Sequence, residues 1–523
     1  VWPRALFVHL LLRDMKHFAA ANAAYCSVVP LLRPPARACV EAPLPTGCLL
    51  HVDALLLLPS GADDNQEGGP EPNDNDDDEN DDDAAGGEAA QARLGRRVLH
   101  VQSISPWAPA CIGPYGQAAA DGIGGLLHLA GQIPLDPASM ELLGPAVAEA
   151  AEEEAASDGN NNNSASAATV LKHTDRVLRS CQAVAVAAGG RMDGEACAGA
   201  AVYLSPEGGK NAGAAAAAVA AFLREGRTEV VVVAEGEEKA DEEDDEDEDD
   251  YVDEYLRPLE VPRGRVRVDQ ASWVVVGGGD GGSGDEASAS TPAACVYAVV
   301  PCLPRGSLVE VQPTLLDLRA FAPGGGAGEP PSSSSSSEDG EEKGEEEDDQ
   351  AAAAAGPLEP DVAALAASTG ATARLRAYSW LSRPSGSRRR RQQPQRRLAA
   401  RLLVALPLQR ESGGNGDLPR ATAAAVASAL QEARPFLGHS ASPNVASLRA
   451  WCTPEAYAEL AGGAGGDAPS PLDAALLAAA PSLGANGSPA GVQMLPALEV
   501  RCSRGDGGLS PPCAAVVELV VLH

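Results

Sequence analysis

This 523-residue chain predicts an α+β fold in which a unit of curled mixed β-sheet, backed by two helices, recurs between long acidic inserts. Three observations lead there. Apolar runs of strand length alternate with stretches of helical spacing. A strand-turn-strand pattern recurs, with APLPTGCLLHVD at 42–53 alignable with PCLPRGSLVEVQ at 301–312. Charge is segregated as well: the formal charge is −35, from 74 acidic and 39 basic residues, yet 36 of the acidic residues lie in the runs 63–83, 235–254 and 338–349. Outside those runs the chain is nearly neutral. The runs repel themselves and cannot bury apolar surface, so they read as disordered inserts.

The elements follow in chain order. ALFVHLLL (5–12) is a strand, and RDMKHFAAANAAYCSVV places Met15, Phe18, Asn22 and Tyr25 at helical spacing. RACVEAPLP (37–45) and GCLLHVDALLL (47–57), split by a Pro/Gly turn, read as a hairpin. A second module opens at VLHVQSIS, turns through Pro106–Pro114 and adds the strand LLHLAGQIP (126–134). A poly-Asn insert (160–163) precedes a helix at 169–189, a strand at 199–205 and an Ala-rich helix at 212–224. ACVYAVVP (294–301) and GSLVEVQPTLL (306–316) repeat the strand-turn-strand pattern. The tail offers strands at 374–380 and 401–409, a helix at 422–437, a strand at 445–452, a short helix near 472–480 and the final strands MLPALEVRC and CAAVVELVVLH. The resulting division is 1–58, an acidic linker 59–96, a module 97–320 with an acidic insert at 234–256, a low-complexity linker 321–369 and a tail module 370–523. The chain opens at Val1, inside what reads as a structural element, and is expected to be a fragment.

Composition excludes several classes. Aromatics are 3%, so the core must be built from Ala, Val and Leu. Eleven cysteines occur without a CxxC pair, and no secretory leader precedes them; reduced thiols and a cytoplasmic location are expected. No apolar run approaches the roughly 18 residues of a membrane helix, so a soluble protein without membrane contact is expected. The eight histidines show no zinc spacing. Arg388–Arg391, with Arg396 and Arg397, lack interleaved aromatics, which argues against nucleic acid and for a disordered basic loop. His51 reads as a half-exposed sheet residue, and the Ser332–Ser337 run as a flexible linker that phosphorylation would suit.

The most specific string is SPWAPACIGPYGQAAADGIGGLLHLAGQIPLDPASMEL (105–142), with a Gly-Pro turn that fixes Tyr115 and a Gly131 that permits close approach. It resembles the opening of the Rid (YjgF-like) family of imine deaminases, whose units have a chorismate-mutase-like sheet. LRDMKHFAAANAAY followed by PPARACVEAPLPTGCLLHVDALL resembles the closing half of the same fold. The resemblance marks Asn22, Arg37, Cys39, Asp53, Tyr115 and Gly131 as ligand-cleft candidates. It implies that Arg37 holds the carboxylate of a 2-imino acid and that Asp53 takes the place of a glutamate that positions the hydrolytic water. In the second unit the aligned positions are Val296 and Gln312, which lack both charges. Family sites lie between neighbouring subunits of a trimer, so Arg37 is expected to face the Tyr115/Gly131 side of the next unit.

Several Rid-like units in one chain, opened by WAPACIGPYGQA, resemble the C-terminal region of the eukaryotic diphthine-ammonia ligase family. That family implies ATP as the full-length protein's cofactor and elongation factor 2 as its substrate. Its SGGKDS-type phosphate loop does not occur in this sequence, and SPEGGKNAG (205–213) reads instead as a strand-to-helix turn. No catalytic residue, metal or cofactor site of the ligase is therefore assigned here. The units are expected to act as a scaffold, a docking surface or an ammonia-handling accessory, packed against one another as an intramolecular pseudo-trimer. The alternatives are a working 2-imino acid deaminase and a non-catalytic binder of small carboxylates.

Overall fold

The computed structural model describes residues 2–29, 32–57, 96–121, 125–144, 167–225, 294–318, 369–382, 395–408, 417–437, 445–462, 469–480, 492–504 and 508–522. The acidic runs, the poly-Asn insert, the serine run and residues 388–394 of the basic stretch lie outside the described residues.

The first stretch contains β1 (Ala5–Leu12), α1 (Phe18–Cys26), β2 (Ala36–Glu41) and β3 (Leu50–Leu56). All eight residues of β1 are buried, which suits its apolar run, broken only by His9, to the middle of a sheet covered on both faces. β1 pairs in parallel with β2 and antiparallel with β3, giving the order β2-β1-β3. The predicted hairpin is therefore not formed. The Pro/Gly turn reverses the chain, but β1 lies between the two strands it joins.

The middle stretch contains β4 (Arg96–Leu99), β5 (Ala118–Asp121), β6 (Leu126–Leu129), α2 (Ala167–Ala188), β7 (Cys197–Leu204), α3 (Pro206–Lys210), α4 (Ala212–Glu225), β8 (Ala294–Val299) and β9 (Val309–Leu316). β7 pairs in parallel with β8 and antiparallel with β9, so the same crossing separates the second predicted hairpin. On α2, Val170, Val177, Leu178, Cys181, Val184 and Ala185 form a buried stripe at helical spacing, facing Val309, Val311 and Leu315 of β9. SPEGGKNAG is the strand-to-helix turn expected, with Ser205 Oγ accepting a hydrogen bond from Gly208 N at 3.1 Å to cap α3.

The last stretch contains β10 (Thr372–Ser382), β11 (Gln395–Pro407), α5 (Leu418–Leu437), β12 (Val445–Cys452), α6 (Pro454–Ala461), α7 (Pro471–Ala479), β13 (Gln493–Pro496), β14 (Glu499–Cys502) and β15 (Cys513–Leu522). Sequence spacing did not disclose β5 or α6. It also assigned Arg396 and Arg397 to a loop, whereas their backbone belongs to β11, opposite Leu381 and Trp380. β12 pairs in parallel with β13 and antiparallel with β15, the third occurrence of one pattern. β14 pairs with β8, so the middle and last stretches share one twelve-stranded sheet.

Each recurrence places one central residue opposite another: His9 faces Asp53, Ala201 faces Gln312 and Arg449 faces Glu518. The inner faces of all three stretches meet in a common core. Phe7, Leu11 and Val40 pack there with Tyr203, Val296 and Ala298, and with Leu403, Trp451 and Val516. Alanines fill much of the remainder, so the sheets approach closely with few aromatic side chains. Separate cores lie beneath α2 and α4 and beneath α5 and α7. No helix among the described residues is long and apolar enough to cross a membrane, and all eleven cysteines are free thiols.

Candidate functional site

β2 carries the first half of the site to the edge of the middle sheet. Gly131 N donates to Arg37 O at 3.1 Å and Gly116 N donates to Pro35 O at 3.0 Å, stitching the first stretch to the second. Alternation along β2 sends Ala36, Ala38 and Val40 into the common core and turns Cys39 toward Leu10, Leu12, Met15 and Phe18. Arg37 shares the Cys39 side of the strand. Its guanidinium carbon lies 4.9 Å from the ring centre of Tyr25 and 5.2 Å from that of Tyr115, so two aromatic rings hold the cation.

The second half comes from the middle stretch. Glu310 projects from β9 and is 2% exposed; Arg37 is 3% exposed. Both line a cleft with a water-accessible volume of about 30 Å³, whose walls include Phe18, Ile112, Ile133 and Leu135. Each leaves a terminal atom buried without a hydrogen-bond partner, Arg37 Nη1 and Glu310 Oε2. Burial pushes the Glu310 carboxyl up to about 8, although the charge of Arg37 opposes the rise. At neutral pH this group is mostly a protonated acid.

The glycines keep this geometry open. A Cβ on Gly131 would overlap the Glu310 carboxylate, and one on Gly113 would lie 2.7 Å from Arg37 Nη2. The floor is fixed by an amide relay, in which Gln132 Nε2 donates to Gln117 Oε1 at 2.5 Å and Gln117 Nε2 donates to Pro109 O at 2.6 Å. Burial holds the Cys39 thiol up at about 12 against the opposing charge of Arg37, so it is no nucleophile at neutral pH.

Of the six residues singled out from sequence, Arg37, Cys39, Tyr115 and Gly131 line this cleft. Asn22 does not line it; it lies on α1 one turn beyond Phe18, with Oδ1 buried and unpartnered. Asp53 is elsewhere. It accepts from Arg449 Nε at 2.8 Å and lies 3.4 Å from His9 Nδ1, deep in the joint between the first and last stretches. His9 Nε2 meets Tyr203 Oη at 2.9 Å, Arg449 also lies 3.9 Å from Glu518, and Arg401 pairs with Glu518. Burial would raise the Asp53 carboxyl, but Arg449 and His9 together hold it well below the usual carboxylate range. A carboxylate engaged in this way is not free to position water.

The residue that sequence reasoning missed is Glu310. Its register partner on β3 is His51, because Glu310 lies opposite Tyr203 as His51 lies opposite Leu11, while Asp53 corresponds to Gln312. The signal was present: in SLVEVQ, a lone carboxylate interrupts an otherwise apolar strand. The counterpart of Arg37 also changes. Arg37 lies opposite Val8 and Cys295 opposite Ala200, so the equivalent is Cys295, and Val296 points into the common core. The β8–β9 turn is one residue longer than the β2–β3 turn, which displaced the alignment by one.

Among solved structures, the chain is similar to YyfA of Yersinia pestis, a protein of the Rid family, at 17% identity over 42% of this chain and 98% of that one, with a TM-score of 0.22. At that score the likeness decides nothing about function. The particular relatives are curated proteins. The diphthine-ammonia ligase of Schizosaccharomyces pombe is 30% identical over 136 residues, which are 26% of this chain and 16% of the ligase. The ligase of Saccharomyces cerevisiae is 34% identical over 146 residues, 27% and 18% of the two chains. Protein DfrA of Myxococcus xanthus is 48% identical over 59 residues, 11% and 42% of the two chains. The matches thus span less than half the length of each relative, and no family model matches the chain.

Proposed function

We propose that the chain is a Rid-like region of a protein related to the diphthine-ammonia ligases, and that its Arg37/Glu310 cleft binds and hydrolyses small 2-imino acids. The observation that carries this reading is the meeting of two buried, mutually unpaired ionisable groups in one cleft, each supplied by a different stretch. On this reading the stretches 1–58, 97–320 and 370–523 are three tethered Rid-like units forming an intramolecular pseudo-trimer, in which one cleft keeps its charges. At the matching positions Cys295 replaces Arg37, while His51 and Val516 replace Glu310.

Arg37 takes the substrate carboxylate through its planar fork, and the two tyrosines keep that fork in place. Neutral Glu310 donates its proton to the imine nitrogen while its second oxygen accepts a proton from the attacking water. The water oxygen adds to the imine carbon to give a carbinolamine; Glu310 then donates a proton to the amine nitrogen and takes one from the new hydroxyl as the C–N bond breaks, and the products are a 2-keto acid and ammonia. Ammonia is also the co-substrate in the names of the two ligases. Elongation factor 2 as substrate and ATP as cofactor belong to that wider reading. Because the SGGKDS-type loop does not occur in the sequence, the chain alone is expected to hydrolyse no ATP.

The test has two arms. Calorimetric titration with 2-oxobutyrate measures carboxylate binding, and 2-iminobutyrate generated in situ by an amino acid oxidase, with semicarbazide as a competing trap, measures hydrolysis. Binding together with faster loss of the trappable imine is expected. Absence of both would overturn the proposal.

A further inference from the structure

We propose that Cys502 and Cys513 form a reversible redox site, in which a hydroperoxide converts the two thiols to an intramolecular disulfide. This is independent of what the Arg37/Glu310 cleft binds. All eleven cysteines are free thiols, but their surroundings differ, and at the β14–β15 turn two of them meet. The thiols of Cys502 and Cys513 share a hydrogen bond.

The backbone explains the meeting. Ser510 N donates to Cys502 O at 2.8 Å, and Val500 lies opposite Cys513. Between those two points β14 moves by two residues and the returning chain by three, so the returning chain carries a one-residue bulge at Pro511 and Pro512. Neither proline has an N–H for the ladder, and the bulge re-aims the side chain that follows it. Cys502 lies two residues beyond Val500 and so shares its face of β14, the face that Cys513 also joins; all three pack in the common core. The two cysteines are thus diagonal neighbours on one face.

Their chemical surroundings divide the labour between them. Ser510 Oγ accepts from Cys502 N at 3.0 Å and lies 3.5 Å from Cys513 Sγ. Beside Cys502 in the chain, Ser503 holds a cation in place: Arg374 Nη1 donates to Ser503 O at 2.9 Å and to Ser503 Oγ at 2.7 Å. The bond from Cys513, with help from Ser510 and the charge of Arg374, lowers the Cys502 thiol below its ordinary range despite burial, whereas the same bond and burial push Cys513 up. Cys502 is therefore the nucleophile and Cys513 the protonated partner. The turn above them is at the surface, with Arg504, Gly508 and Pro511 exposed, and the thiols themselves are 6% and 3% exposed. Cys181 and Cys197, by contrast, are sealed in the core beneath α2 and α4, and burial raises the Cys181 thiol.

With hydrogen peroxide, the Cys502 thiolate attacks one peroxide oxygen and the O–O bond breaks, leaving a Cys502 sulfenic acid and hydroxide. The Cys513 sulfur then attacks the Cys502 sulfur; the S–S bond forms as the S–O bond breaks, and the hydroxyl departs with the Cys513 proton as water. Two thiols are oxidised and the peroxide is reduced to water, and a dithiol reverses the change by exchange. The disulfide ties β15 to β14, whose residues Glu499–Cys502 pair with β8, and so fastens the seam between the middle and last stretches.

The test treats the reduced full chain with hydrogen peroxide, alkylates the remaining thiols in denaturant and maps the peptides by mass spectrometry. A Cys502–Cys513 disulfide is expected, forming roughly tenfold faster than any oxidation of Cys181 or Cys197 and removed by dithiothreitol. In Cys513→Ser, Cys502 is expected to stop at the sulfenic acid and take a dimedone adduct; in Cys502→Ser, Cys513 is expected to take none. Both thiols of the wild-type chain remaining alkylatable after peroxide, a disulfide joining either cysteine to another residue or another chain, or a dimedone adduct on Cys513 in Cys502→Ser would each overturn the proposal.

Discussion

Asp53 and Glu310 are both carboxylates on the strand antiparallel to a central strand, two register positions apart, and both are nearly inaccessible to solvent. Asp53 meets a guanidinium and an imidazole and is held well below the usual carboxylate range; Glu310 faces Arg37 across open space and is pushed up to about 8. Burial acts on the two in the same direction, and the partner decides the outcome. A buried carboxylate paired with a guanidinium and an imidazole is part of the frame, whereas one with an unpartnered oxygen beside a cleft can exchange a proton with whatever enters.

The largest effect expected from this contrast is on turnover. Glu310→Gln should lower imine hydrolysis by about 10²–10⁴-fold, the usual contribution of a positioned acid-base group, while 2-oxobutyrate still binds. Unchanged turnover would remove Glu310 from the chemistry. The next largest falls on the frame. Arg449→Met strands Asp53 as an uncompensated buried charge and should cost about 3–5 kcal/mol in urea unfolding, and a loss below 1 kcal/mol would erase the distinction between the two sites.

Arg37 sharpens the comparison from the other side. Arg37→Ala should weaken carboxylate binding by about 1.5–3 kcal/mol, the range for hydrogen bonds to charged groups, with Arg37→Lys recovering only part because an ammonium lacks the planar fork. Equal affinities for wild type and Arg37→Ala in calorimetry would exclude Arg37 from the site.

The smallest effect is on pH dependence. Glu310 stays protonated in the folded protein up to about pH 8, whereas unfolded it ionises near 4.5. Across that window the unfolded chain binds fewer protons, so the contribution of Glu310 is fully present below 4.5 and lost as pH rises toward 8, with a slope of at most about 1.4 kcal/mol per unit. Asp53 has the opposite sign: its contribution is present above the ordinary carboxylate pKa and is lost in acid. Glu310→Gln should flatten the neutral slope and leave the acid limb unchanged. A slope that persists in the variant would assign it to another group.

Much of the architecture was legible in sequence because β1 and β7 are long, mostly apolar runs and α2 and α5 are long amphipathic helices. The pairing of those strands was not. A Pro/Gly turn between apolar runs specifies that the chain reverses, yet a parallel neighbour such as β1 is contributed from about 30 residues earlier, and local pattern carries no trace of it. The candidate site divides in the same way. Arg37, Tyr115 and Gly131 stand in distinctive local strings, whereas the roles of Glu310 and Asp53 depend on which residue lies opposite them; turn length shifted only the counterpart of Arg37, from Val296 to Cys295.

The bond between Arg449 and Asp53 spans 396 residues. On a ribosome adding 5–20 residues per second, Asp53 therefore waits roughly 20–80 seconds for its partner to be made. During that interval the first stretch must leave this carboxylate in water, with the strands beside it undocked, and Phe7 and Leu11 lack the Trp451 and Val516 that cover them later. The arginine that finishes the joint is thus also a timer, because the order of synthesis sets when the nascent N-terminal strands stop being open to other chains.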